Sequence, residues 1–232
     1  KLPAFTWGSA GEAMLGADYV LLLGVLLLGA DLGYLESQWR LLGPEWPYHL
    51  LVMAAIAFVL AYRFDSRSVL SLALTSFAAW RGAAVSISLA GVGHPTAPAV
   101  RTNAIFCAAL FLAAGFASLK ARRKAHFEPV FVTFGLLLLF GAILSGVFEW
   151  GGARWTWWEL PLFASAAVVI VAAYRRRRTL DFSIAVLAAY LGLLRILFQA
   201  MRGASGLFVV AVSGAAVVAL LVAAQRRMKE ER

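Results

Sequence analysis

The sequence predicts an all-α, polytopic membrane helix bundle of about eight transmembrane helices, and three observations predict it. Apolar residues make up 62% of the 232 and charged residues only 14%, with a mean hydropathy of +0.81. A soluble domain of this size would leave much of that surface against water. Second, runs such as Val20 to Leu28, Leu50 to Ala61 and Leu207 to Ala224 reach or approach the roughly 20 apolar residues that cross a ~30 Å hydrocarbon layer. Third, the net charge of +9 sits in short bursts between the apolar runs and not along one folded face. Membrane lipids are therefore the expected surroundings, other membrane subunits are candidate partners, and nucleic acid is not expected.

Each element follows from what bounds it. The first span, about 17–36, lies between Gly16 and the polar ESQWR; the second, about 47–63, opens after PEWP and closes at AYR. The third covers about 67–90, from Arg67 to Gly91, and the stiff turn GVGHPTAP leads into the fourth, about 102–120. The fifth, about 127–149, ends at FEW; the sixth, about 160–175, runs from ELP to AYR. The seventh, about 179–200, follows the four arginines, and the eighth, about 206–225, precedes QRR. Barrel strands would be ~10 residues of alternating polarity, and these runs are longer and unbroken. The second and sixth spans are short and rely on interfacial aromatics to complete a crossing.

Basic residues fix an expected direction, because cytoplasmic loops retain Lys and Arg. Fifteen of the 21 fall on one set of alternate connections, including Arg122, Arg123, Lys124, Arg175, Arg176, Arg177 and Arg178, while four fall on the other set. These clusters are expected to anchor the inner face, with both termini in the cytoplasm of a bacterial inner membrane. Trp39, Trp46, Trp150, Trp155, Trp157 and Trp158 all lie on the side poor in basic residues, an expected outer aromatic belt. A stacking platform for a sugar or lipid headgroup is the sharper alternative for GGARWTWWELP. The opening KLPAFTWGSAGEAM lacks a basic stretch followed directly by an apolar one and is not read as a signal peptide; its start without methionine suggests processing or a preceding segment.

At a spacing of 112 residues LLLGADL (26–32) lies over LLFGAIL (138–144), Trp46 over Trp158 and AYR (61–63) over AYR (173–175), with thirteen identities in the 38 positions of 26–63. The fourth and eighth spans end alike, in ARRK and QRRMK, at an offset of 104. A single transmembrane domain built from parallel halves, 17–124 and 127–229, is expected, either as a scaffold or with a transport cavity between the halves.

Charged groups inside a bilayer are the strongest functional pointers, since an unpaired one costs at least ~2.5–3.5 kcal/mol at the centre. Asp31, Arg81 and Arg195 qualify, each about 21–24 Å above the start of its span. Equal depth makes an Asp31–Arg81 pair geometrically feasible, with Glu149 a candidate partner for Arg195; a polar cavity open to the outside and lined by Asp31, Arg81, Arg195, Glu36 and Glu149 is the functional reading. Snorkelling arginines and a helix-bound Asp31 are the structural one. GADLG (29–33) is a GxxxG that suits close packing. Cys107 reads as a small buried hydrophobe. The histidines are scattered: His49 and His94 on the outer side, and His126 adding to the basic inner rim. No H-E-x-x-H, G-x-S-x-G or G-x-x-x-x-G-K-[ST] occurs, so neither a metal nor a cofactor is expected.

LLLGADLGYLESQW, the following helix that ends AYRFDSRS, the stretch RRRRTLDFSIAVLAAYLGLLR and a last span SGAAVVALLVAAQRR before a short basic tail together resemble the bacterial multi-pass membrane proteins that carry the DUF2157 domain. The likeness extends loosely over most of the chain. It implies a polytopic inner-membrane protein and brings no substrate or active residue with it. The expected role is non-enzymatic, as a small-solute or lipid transporter or a structural subunit; an enzyme acting on a lipid or isoprenoid headgroup at the outer face is the alternative.

Overall fold

The computed structural model describes residues 15–40, 42–90, 97–149, 157–200 and 205–230. Eight α-helices lie among them: α1 (Leu15–Trp39), α2 (Tyr48–Phe64), α3 (Arg67–Ala90), α4 (Ala97–Ala121), α5 (Glu128–Val147), α6 (Glu159–Arg175), α7 (Thr179–Ala200) and α8 (Ser205–Glu230). All eight coincide with the expected spans. The largest shifts are at α4, which starts five residues early because Pro98 is tolerated in a first turn that needs no N–H bond, and at α8, which continues through QRRMKE. Among the described residues, five stretches are long and apolar enough to cross a membrane: Asp18–Trp39, Pro98–Ala121, Ala125–Val147, Thr179–Gln199 and Val209–Met228. α2 and α6, at 17 residues each, reach only about 25 Å, and α3 is long but diluted by Ser68, Ser71, Thr75, Ser76 and Arg81. The chain thus has the character of a multi-pass, all-helical membrane protein.

It divides into two compact units, Lys1–Gly135 and Leu136–Arg232. In the first, α2 and α3 form a tight hairpin whose turn is written into two residues. Asp65 closes α2 in the left-handed region at φ 60°, the Ser66 N–H donates back to Ala61 O at 3.1 Å, and the Ser66 hydroxyl accepts from the Val69 N–H at 3.1 Å to cap α3. Small residues let the helices approach: Ala54, Ala57, Ala61 and Ala73 are fully buried. α1 is tied to the start of α3 by the Ser68 hydroxyl, which donates to Asp18 Oδ2 at 2.9 Å. α4 meets the first turns of α5 at glycines; a Cβ on Gly135 would lie 2.8 Å from Leu112 Cγ, and one on Gly115 3.2 Å from Phe131 Cβ.

The second unit has a hairpin of its own, built from different side chains. Arg177 is left-handed at φ 55°, and the Arg178 N–H donates to Ala173 O at 2.9 Å, so three of the four consecutive arginines form the turn between α6 and α7. Basic residues suit this place, where the last carbonyls of α6 carry partial negative charge. Five pairs of positions 112 apart are buried in both hairpins: Ala54 and Ala166, Ala61 and Ala173, Leu70 and Phe182, Ala73 and Ala185, Ser76 and Ala188. α8 closes the unit by setting Met228 against Ala173 and Phe182, with Ile170, Val186, Leu221 and Ala224 around them.

The tryptophans of the expected outer belt differ in exposure. Trp39, Trp46 and Trp157 are 68%, 41% and 94% exposed. Trp158 instead packs on Gly146, where a Cβ would come within 2.6 Å of its ring, because a glycine in α5 leaves room for an indole. Trp150, Trp155 and His94 lie outside the described residues.

Candidate functional site

Three polar groups sit on this frame, each inside one unit. The first lies at the arginine-rich end of unit 1. Lys124, left-handed at φ 50°, follows the end of α4 and folds its ammonium inward, where it is 2% exposed and donates to Asp65 Oδ1 at 2.7 Å. His126, in the short 3-10 turn Ala125–Phe127, brings Nε2 within 2.6 Å of the same oxygen without completing a hydrogen bond. Tyr62 and Phe127 meet edge-on beside them at 5.2 Å, and Lys124 Nζ lies 5.9 Å from the centre of the Phe127 ring. Lys124 and His126 are therefore not the headgroup-facing rim that their basic neighbours suggested. The Asp65 carboxylate, fixed by the hairpin turn, is close enough to draw them out of water, whereas Arg122 and Arg123 remain exposed.

At the opposite end of unit 1, Arg81 Nε donates to Asn103 Oδ1 at 3.1 Å. Its guanidinium carbon stands 5.7 Å from the centre of the Trp80 ring and 5.6 Å from that of Phe106, with the Cys107 thiol as a further neighbour. Guanidinium is weakly hydrated and stacks on aromatic faces, so an amide and two rings stand where equal depth had allowed a carboxylate. The Asp31–Arg81 pair is thus not formed. Asp31 is exposed on α1, and Glu36 caps the end of that helix by accepting the Leu42 N–H at 3.0 Å.

The third group is in unit 2. Arg195, on α7, donates from Nη1 to Glu159 Oε1, in a pair with side chains 11% and 4% exposed. Glu149, the partner expected from depth alone, lies in the exposed segment just after α5. Glu159 wins because it is the first residue of α6, where unpaired N–H groups favour a carboxylate, and because α6 and α7 are hairpin neighbours. Its other oxygen, Oε2, is buried without a hydrogen-bond partner. Such an atom can take a proton or a water molecule.

Within the units, Arg81 is engaged by Asn103, Arg195 by Glu159 and Glu36 by the Leu42 N–H, and Asp31 makes no contact with Arg81. Sequence reasoning missed Asp65, Asn103 and Glu159 as partners. Asp65 was visible in AYRFDS, an acid in a two-residue connection facing the same side as ARRKAHFE. Glu159 was visible as the acid that begins a helix beside the one carrying Arg195.

No protein-family model, curated protein or solved structure matches the chain. Function has to be argued from these groups alone.

Proposed function

We propose that the protein is a non-enzymatic, multi-pass subunit of a larger assembly in a bacterial cytoplasmic membrane, with its arginine-rich ends and both termini in the cytoplasm. The observation that carries this reading is how little of the first and last spans is packed. Of the apolar windows in Asp18–Trp39 and Val209–Met228, 6% and 0% of the residues are buried, against 44% in Ala125–Val147. Small residues on α8 suit a close-approaching neighbour: a shallow groove of about 600 Å³ runs over Ala215, Ala219 and Ala223 toward Arg226. Arg81 and Arg195 each hold helices together within their own unit. The likeness to the DUF2157 proteins belongs to the same proposal.

An origin by duplication is also part of this reading. It is supported by the left-handed turns at Asp65 and Arg177, the matching bonds from residues 66 to 61 and 178 to 173, and the shared burial pattern. Lys124 and Met228, at the offset of 104, are both buried, so unit 1 carries an ionic cluster where unit 2 carries an apolar plug.

Native mass spectrometry of the protein released from its own membrane tests the subunit reading. A species heavier than the 25.0 kDa chain is expected; a monomer throughout, confirmed by cross-linking before extraction, would refute it. A transporter is the second reading, favoured by the orphaned Glu159 Oε2 as a proton-accepting atom. Proton uptake by proteoliposomes that Glu159→Gln abolishes would decide for it.

A further inference from the structure

We propose that the face of α1 centred on Asp31 receives a transmembrane helix of a different subunit, one that carries a lysine or arginine at the same depth. The inference rests on the subunit reading and names the partner's chemistry. Asp31 lies eight residues before Trp39, hence about 12 Å below the aromatic residue that ends the helix, and thirteen residues, about 20 Å, beyond Asp18. It is exposed and makes no hydrogen bond or ion pair with any described residue.

Around it on the same helical face stand Val20, Leu23, Leu27 and Tyr34, exposed by 70%, 56%, 57% and 64%. Hydrocarbon is a poor environment for a carboxylate, and a side chain as short as aspartate falls far short of headgroups about 12 Å away. Something polar must meet Asp31. The chain's own intramembrane cations do not: Arg81 is held by Asn103 and two aromatic rings, and Arg195 by Glu159.

The 112-residue register gives a second argument. Ile143 and Gly146 of α5 occupy the positions of Asp31 and Tyr34, and both are buried. The face that is covered in α5 is bare in α1, and an acid replaces its isoleucine. A second copy of this chain meeting the first on this face would bring two Asp31 carboxylates together, so charge selects a different subunit with a cation. Gly24, seven residues before Asp31 and on the same face, has nothing within 4 Å of where a Cβ would stand, which leaves room for a partner backbone.

The test uses the full chain in liposomes with a fluorescence donor, and acceptor-labelled 25-residue Leu/Ala peptides carrying a single Lys, Leu or Glu at the depth of Asp31. The Lys peptide is expected to associate about tenfold more tightly than the Leu or Glu peptide. Asp31→Asn should remove that preference and Asp31→Glu retain it. A photo-cross-linker at Leu27 in native membranes should give an adduct with a different polypeptide bearing an intramembrane Lys or Arg. Equal binding of the three peptides, an unchanged preference in Asp31→Asn, or an adduct of two copies of this chain would overturn the proposal. If native mass spectrometry still shows a larger complex after such a result, the subunit reading stands and only the Asp31 interface falls.

Discussion

Lys124→Met is the substitution from which most can be learned, because the proposed duplication puts the buried, apolar Met228 at the corresponding place. The ammonium and the Asp65 carboxylate lie 2.7 Å apart and are 2% and 7% exposed. With an effective dielectric near 20 their attraction is roughly 6 kcal/mol, much of it offset by the cost of drying both ions. Removing one partner leaves that cost unopposed. Lys124→Met is therefore expected to destabilise by about 3 kcal/mol, the low end of the range for a broken buried pair, because His126 still faces Asp65 at 2.6 Å. Adding Asp65→Asn should return stability to within about 1 kcal/mol of the wild type, since asparagine tolerates the left-handed turn at φ 60° and a neutral amide strands no charge. Equilibrium unfolding in detergent micelles, followed by helical circular dichroism, measures both. A single variant within about 1 kcal/mol of wild type, or a double variant no more stable than the single one, would refute the reasoning.

Other outcomes follow from the same structure. Arg195→Ala should destabilise by about 3–5 kcal/mol and Arg195→Ala with Glu159→Ala by markedly less, checked by the same unfolding measurement. Gly146→Ala drives a methyl to 2.6 Å from the Trp158 ring and should cost about 1–3 kcal/mol; a shift in tryptophan emission should accompany it. Tyr190→Phe removes bonds of 3.3 Å to Val210 O and 3.2 Å to the Ser213 hydroxyl, the polar link from α7 to α8. It should cost about 0.6 kcal/mol and raise hydrogen exchange along α8.

Helix positions were legible because long apolar runs punctuated by Pro, Gly and charge leave few alternatives, and α2, α3, α6 and α7 fall within a residue or two of their expected bounds. Turn chemistry was not legible: Asp65 and Arg177 are non-glycine residues in left-handed conformations that hydropathy cannot reveal. Side-chain pairing failed for a related reason. Equal depth suggested Asp31 for Arg81 and Glu149 for Arg195, but pairing requires neighbouring helix faces as well as depth. Arg81 points to Asn103 on α4 and Arg195 to Glu159 on α6. Lys124 shows the limit of counting charges by loop, since one acid in a facing turn converts an expected anchor into a buried ion.

In the proposed orientation the arginine-rich ends of these helices lie in the cytoplasm and the tryptophan-rich ends outside. Substituted-cysteine labelling tests it directly. With Cys107→Ala as background, Glu45→Cys and Trp157→Cys should react with a membrane-impermeant maleimide on intact cells, whereas Arg123→Cys and Arg177→Cys should react only after permeabilisation. Labelling of positions 157 and 177 from the same side would contradict the account.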